Sequence, residues 1–400
     1  MGFDIDRARR DTPGVKNVAH LNNAGAALPP TQVTEAVIGH LRQEAEIGGY
    51  EAAAAAAGQI ESTYASIARL INCGTHEVAV IENATRAWDM AFYSMDFVPG
   101  DRILTGRSEY ASNVIAFLQV AGRTGAVLEV VEDDEHGQIS IADLRRRLEV
   151  GGSNAGPVKL VAITHVPSHG GLVNPAEEVG AAAREAGVPF LLDACQSVGQ
   201  MPIDVERIDC DFLVATGRKF VRGPRGTGFL YARASMVERL DPPFLDLHAA
   251  TWTAPNRFAI RTDARRFESW ESSYAGKIGL GVAIDYALSW GLDAIEERVT
   301  LLAEHLRQRL QAVNGVQVHD LGRRRCGIVS FSVEGVPAQQ VQQRLHGRGV
   351  NTSVSFTNYA LFDMPERGLP DLMRASVHYY NIEQEIDQLI DALPGPDATD

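Results

Sequence analysis

Apolar residues along this chain recur in two rhythms, one near every third or fourth position and one in short unbroken runs, and the two alternate over most of its length. After a polar start, Val33, Val37 and Leu41 fall at helical spacing, as do Ile60, Tyr64, Ile67 and Leu70. Gly48-Gly49 breaks the first helix, and Asn72 with Gly74 ends the second. A short strand over 77–81 runs into Glu82-Asn83-Ala84-Thr85, after which Trp88, Phe92 and Met95 resume helical spacing. Ala84-Thr85 therefore falls at a helix N-terminus, where free N–H groups attract an anion such as phosphate. A plain N-cap is the simpler reading of the same residues.

From there the alternation is regular, with strands expected over 102–104, 127–131, 159–164 and 189–192. Helices are expected after Asn113, over 141–148 and over 175–185. Repetition of this kind implies a largely parallel sheet covered by helices on both faces. The stretch 242–266 reads as long and irregular, with Trp252 inside it and Trp270 nearby, and loops of that length tend to be functional. Two helices follow, one carrying Ile278, Val282 and Tyr286, the other Ile295, Val299, Leu302, Leu306 and Leu310. The remainder reads as a small α+β unit, with strands over 316–318, 327–333 and 373–377 and helices over 339–345 and 383–393. Arg374 lies in its last strand, where an outward-facing charge is the ordinary reading.

Composition narrows the picture. The 400 residues, 45% hydrophobic and 22% charged, suit two ordinary globular domains. A balance of 37 Lys+Arg against 51 Asp+Glu, net −14, argues against nucleic acid or an anionic membrane as partner. The start, MGFDIDRARRDTPG, lacks the apolar core of a signal peptide, and no later apolar run is long enough to cross a bilayer. Cys73, Cys195, Cys210 and Cys326 show no metal-binding spacing, so no metal site is expected, and a cytoplasmic, reducing location is.

The candidate chemistry lies at strand ends, where open α/β sheets hold ligands. Ser108-Glu109-Tyr110 follow one strand, His165 and Ser168-His169 a second, Asp193 and Gln196 a third. Tyr110 is also readable as packing, the histidines as satisfied turn residues, and Asp193 as a cap. The stretch 211–231, DFLVATGRKFVRGPRGTGFLY, reads as two strands that present Lys219 at a mobile, polar junction. A lysine so placed forms an imine with a carbonyl compound if its pKa is lowered. Read alone, a solvated loop lysine is the plainer account. Gly223 to Gly228 is not a dinucleotide loop, because Phe229-Leu230-Tyr231 continues as a strand rather than a helix.

HLNNAG, ENATRA, SEYASN, THVPSHGGLVNP, LLDACQSVG, TGRKFVRGPRGTGFL and MRASVHYYN occur in that order. Together, over roughly residues 18 to 395, they resemble the class V aminotransferase-like enzymes. That family uses pyridoxal phosphate and includes cysteine desulfurases, isopenicillin N epimerase-like proteins, kynureninase-like enzymes and cysteine-conjugate lyases. The resemblance implies a pyridoxal phosphate-dependent transferase fold of type I, with the active site at a homodimer interface. The implied domains are an N-terminal arm over 1–30 that contributes to the small domain and the site, a large cofactor domain over 31–290, and a small C-terminal domain over 291–400.

By the same resemblance Lys219 corresponds to the Schiff-base lysine, Asp193 to the partner of the pyridine nitrogen, and Gln196 to the donor to the ring phenolate. Tyr110 stands where the family stacks a histidine on the ring. Ala84, Thr85, Thr216 and Arg218 correspond to the phosphate cup, with Arg218 in place of a histidine. Arg374 corresponds to the arginine that grips the substrate carboxylate, with Asn23 and Gly25 lining the same pocket. The family's Gly-Thr pair after Phe-Glu is missing, since Phe267-Glu268 leads into Ser269-Trp270, and the cross-subunit phosphate contact is unassigned.

A desulfurase carries sulfur on a cysteine in the loop before the carboxylate arginine, and 351–372 contains no cysteine. The expected reaction is therefore β-elimination from an S-substituted L-cysteine, with the Trp-bearing loop holding a bulky S-substituent. Transamination, decarboxylation-coupled deamination and epimerisation of a related amino acid are the alternatives. A non-catalytic protein that keeps the fold for binding is the reading from another class.

Overall fold

In the computed structural model, residues 3–149 and 156–394 are described. Positions 1–2 of the expected arm and 395–400 of the expected C-terminal domain lie outside them. The expected alternation builds one seven-stranded sheet. From one edge its strands are Val78–Ile81, Gly228–Ala232, Phe212–Thr216, Phe190–Asp193, Val158–Thr164, Arg102–Thr105 and Val127–Val130. Only Gly228–Ala232 runs against the others, pairing antiparallel with both neighbours. The expected strands are matched to within a residue or two at each end, and Asp193 closes its strand rather than following it.

The inner strands are buried on both faces, so their apolar residues are continuous and alternate side chains enter different cores, while the edge strand Val127–Val130 is only partly covered. Leu104, Val161, Ile163, Leu192 and Leu213 join the helices on one face. Ile103, Leu160, Ala162, Leu191 and Phe212 join those on the other. On the first face Tyr274–Trp290 packs against Thr31–Ile47 and Ala57–Ile71. Tyr274–Trp290 is apolar nearly all round because nearly all of it is buried, and no single described helix is long and apolar enough to cross a membrane.

A second, antiparallel sheet orders Val316–Val318, Ile328–Val333, Leu372–Ser376 and Ser353–Ser355. Helices Leu292–Gln311, Ala338–Gly347 and Glu383–Ala392 contribute to its core, which Ala8, Ala19 and Leu21 of the N-terminal arm also enter. Ala19–His20 pairs with Val350–Asn351, which ties the arm to this unit.

Two sequence expectations need correction. The stretch 242–266 is not irregular throughout: Ala250–Ala254 and Arg257–Ile260 form an antiparallel hairpin. Its signal is the alternation of Trp252, Ala254 and Phe258 around Pro255-Asn256, hidden because the hairpin's apolar side chains face outward rather than into the core. The Lys219 junction is polar only at its tip. Phe220, Val221 and Arg222 behind it are buried, and Arg222 holds a left-handed φ of 64°. Its guanidinium donates to Leu28 O at 2.8 Å, Tyr379 Oη at 2.6 Å and Thr12 Oγ1 at 2.6 Å, so the junction is stitched to both the arm and the C-terminal unit.

Candidate active site

Strand register brings the polar residues together. Thr164 lies opposite Asp193, and Asp193 opposite Val214, so these parallel strands end on one edge of the sheet. Gly228 of the reversed strand sits between Thr216 and Ile81. The turn after Ile81 therefore delivers the N-terminus of helix Ala84–Phe92 to the same edge, capped by Asn83 Oδ1, which accepts from Arg86 N at 2.9 Å. A Cβ on Gly228 would stand 2.7 Å from Ala215 O and 3.0 Å from Ala84 N. Only glycine allows this approach of helix to strand.

The result is a cavity of about 310 Å³ whose wall includes Ala84, Thr85, Tyr110, Asp193, Gln196, Thr216, Arg218 and Lys219. Among the sequence candidates, these eight converge. Lys219 is half-buried and, among the described residues, its Nζ has no hydrogen-bond partner. Burial lowers its pKa, the thiol of Cys195 and the carboxylate of Asp193 oppose that, and Arg218 and Arg374 add to it. Asp193 is buried, with Oδ1 accepting from Cys195 N at 3.0 Å and Oδ2 from Asn113 Nδ2 at 3.0 Å. Arg218 Nη1 donates to Thr216 Oγ1 at 3.2 Å, which joins two of the expected anion-holding groups.

Gln196 places Nε2 3.2 Å from Ala24 O and leaves its buried Oε1 without a partner, so a donor role toward a ligand requires the amide to turn. Arg374 stands just outside the wall. Its Nη1 donates to Ser168 O at 2.8 Å and Nη2 to Asn22 Oδ1 at 3.2 Å, while its Nε is buried without a partner.

Asn23 and Gly25 do not reach the cavity wall. The Asn23 amide is spent on His20 O, Ser376 O and Asn381 Oδ1, and its carbonyl accepts from Tyr380 Oη. It pins the arm to the last strand, and its neighbour Asn22 is the residue that meets Arg374. Asn22 bridges to Ser376 while Asn23 begins the turn that follows, so the two neighbours find different partners, which local pattern alone did not resolve. None of 242–266 lines the cavity either, so the expected Trp-bearing wall is not built from the same chain.

His165 is buried with Nδ1 3.0 Å from Ser197 Oγ, and His169 Nε2 is 2.8 Å from Asp363 Oδ2. Each is buried with that one ring nitrogen partnered, and neither lines the cavity. Sequence reasoning passed over Asn113, which reaches Asp193 from the first turn of helix Ala111–Thr124. The spacing of Glu109 and Asn113, four apart at a helix start, was its available signal.

A free amine at a half-buried lysine, an open helix N-terminus beside Thr216 and Arg218, and unpartnered atoms on Gln196 and Arg374 suit a small phosphorylated aldehyde. Pyridoxal phosphate fits these residues. A larger groove of about 650 Å³ has His165 in its wall but none of these groups.

Comparison with known proteins agrees. The family model described as aminotransferase class-V matches residues 19–389. A probable cysteine desulfurase of Synechocystis sp. is 30% identical over 94% of this chain and 90% of its own. One from Xylella fastidiosa is 31% identical over 98% and 95%. The apo structure of a cysteine desulfurase from Thermococcus onnurineus NA1 superposes with a TM-score of 0.88 at 26% identity, covering 98% of this chain and 97% of that one. The cystine C–S lyase C-DES, in complex with its product cysteine persulfide, shares the fold with a TM-score of 0.84 at 23% identity, covering 96% and 100%. The chain is a pyridoxal phosphate-dependent enzyme and belongs to the class V aminotransferase family.

Proposed function

We propose that this enzyme cleaves the C–S bond of an S-substituted L-cysteine by β-elimination, taking up water and releasing a thiol, pyruvate and ammonia. The observation that carries the reading is a desulfurase-like chain without a usable sulfur-accepting thiol. The relatives are named cysteine desulfurases, yet 351–372 contains no cysteine. Cys195 lines the cavity, but burial and then Asp193 push its thiol well above the ordinary range. Burial likewise raises Cys73 to about 12 and Cys326 to about 11, and it raises Cys210 further. A thiol held protonated is a poor nucleophile, so a reaction that needs none is favoured.

Pyridoxal phosphate, when bound, supplies a conjugated acceptor for the electron pair left at the substrate's Cα. The chain's residues do the rest. The Ala84 and Thr85 amides, Thr216 and Arg218 would hold the phosphate at the helix N-terminus. Asp193 would face the ring nitrogen and hold a proton on it, and Tyr110 would lie against the ring face. The Arg374 guanidinium, which spends one Nη hydrogen each on Ser168 O and Asn22 Oδ1, would take the substrate carboxylate and so orient the bonds at Cα. The lowered pKa of Lys219 leaves part of its amine neutral, able to remove the Cα proton.

Three assignments beyond the site accompany this reading. Trp252 is 68% and Phe258 62% exposed on the hairpin, beside exposed Phe244 and Leu247. Such a patch supports a homodimer in which the hairpin reaches toward the partner's site, where it would meet a bulky S-substituent. The arm's burial in the C-terminal core supports the division into arm, large domain and small domain. Four free cysteines support a cytoplasmic setting.

The test is product analysis of the holoenzyme given L-cysteine and several S-alkyl and S-aryl cysteines. Pyruvate and thiol in equal amounts are expected from at least one conjugate. Alanine from L-cysteine with no pyruvate from any conjugate overturns the reading in favour of desulfuration. Dependence on an added 2-oxo acid overturns it in favour of transamination.

A further inference from the structure

Behind Asp193 lies a second carboxylate that none of these roles uses. Glu109 is 2% exposed and follows strand Arg102–Thr105 just ahead of Tyr110. Its Oε1 accepts from Tyr110 N at 2.8 Å, Asn113 Nδ2 at 2.8 Å and the Thr164 hydroxyl. Its Oε2 accepts from Thr105 Oγ1 at 2.9 Å and Thr164 N at 3.0 Å. The Asn113 Nδ2 that serves Glu109 also donates to Asp193 Oδ2. An amide nitrogen carries two hydrogens, so one –NH₂ group is shared between two buried carboxylates.

A glutamate that merely tied strands together would have no reason to share a donor with Asp193. Here the sharing decides geometry. With Glu109 ionised, all five surrounding groups donate to it, and the Asn113 amide is held with its nitrogen toward Asp193. Asp193 is the charged group that acts on Glu109, and the Lys219 amine acts in turn on Asp193 from the cavity side. Burial raises the Glu109 acid to about 7, the Thr164 and Asn113 hydrogen bonds pull it down, and Asp193 raises it again. A protonated Glu109 must itself donate. The two backbone N–H groups cannot accept, so a threonine hydroxyl or the turned Asn113 amide has to, and a turned amide points its oxygen at Asp193.

We propose that Glu109 is a positioning residue for the cofactor ring, acting through Asn113 to hold the Asp193 carboxylate with its free lone pairs turned into the cavity. This rests on the reading of Asp193 as the partner of the ring nitrogen. The ionised pair also places a second negative charge behind that nitrogen, which favours its protonated form.

The experiment is a double-mutant cycle on pyridoxal phosphate binding in a Lys219→Ala background, where no lysine is bonded to the cofactor. Affinity is read by fluorescence and the ring's environment by absorption across the pH range around neutrality. Glu109→Gln is expected to weaken binding about tenfold and to remove a spectral transition near pH 7, and Asn113→Leu, which leaves Glu109 in place, to do the same. In an Asp193→Asn background both effects should vanish. If Asp193→Asn alone changes neither affinity nor spectrum, the role of Asp193 fails. If Asp193→Asn has its effect but Glu109→Gln and Asn113→Leu cost the same with and without it, Glu109 is only a structural staple and the proposal is overturned. Should Glu109→Gln not fold, Asn113→Leu alone decides by the same criteria.

Discussion

At Lys219 and Arg374 the roles separate cleanly because the two side chains have different unmet needs. Lys219→Ala is expected to abolish the visible band that arises from the lysine-bonded cofactor, leaving the band of the unbonded aldehyde, and to reduce turnover by about a thousandfold or more. Arg374→Lys should keep that absorption and raise KM for the amino acid about 10- to 100-fold, since a lysine cannot make a two-point contact with a carboxylate. Steady-state kinetics alongside absorption spectra check both. His165 makes a prediction about stability. Burial, with Arg324 adding to it, holds the ring's pKa down to about 3 against an ordinary 6.5. Between those values the unfolded chain binds a proton that the folded one refuses. This part of the stability is complete above about pH 6.5 and is lost as the pH falls toward 3, by up to about 1.4 kcal/mol per pH unit. Glu109, raised to about 7, has the opposite sign, because its folded form takes the proton first. Urea midpoints across this window should fall less steeply for His165→Gln than for the parent protein. These residues were nameable from the strand-end motifs, but Asn22, Asn113 and the use of Glu109 were not. Each depends on a partner that local pattern does not reveal, such as Asp193, 80 positions from Asn113.

Among the elements, the reversed strand Gly228–Ala232 governs how closely helix Ala84–Phe92 approaches the cavity. Gly228→Ala places a methyl group between Ala215 O and Ala84 N, and something must shift. The expected cost is about 1–3 kcal/mol in stability with weaker cofactor binding, seen together as a lower melting temperature and a higher Kd. The turn 223–228 was legible as a return to the sheet, because an apolar run resumes directly after it. The hairpin of 250–260 was not. Its alternation is present in the sequence, but alternation identifies a strand by its buried face, and here Trp252 and Phe258 are both exposed.

Across the whole molecule, Arg222 joins the arm, the lysine junction and the C-terminal unit, with its guanidinium 4.5 Å from the Tyr380 ring centre as well as hydrogen-bonded to Thr12, Leu28 and Tyr379. Arg222→Met should cost about 3 kcal/mol or more in chemical denaturation, by stranding Leu28 O and two hydroxyls without the cation. For the proposed dimer, Trp252→Asp combined with Phe258→Asp should yield monomers by light scattering. An unchanged dimer would put the interface elsewhere. The apolar rhythm by itself determined the alternating strands and helices, the parallel sheet and the polar residues at its strand ends, because periodicity of burial is written within ten or so neighbouring residues. Only the tertiary structure decided which of those polar groups meet: Asp193 with Asn113 and Glu109, Arg374 with Asn22 rather than Asn23, and Arg222 with Thr12 and Tyr379. Those pairings follow from strand register and from contacts between distant segments, where a shift of a single residue would turn each side chain away from its partner.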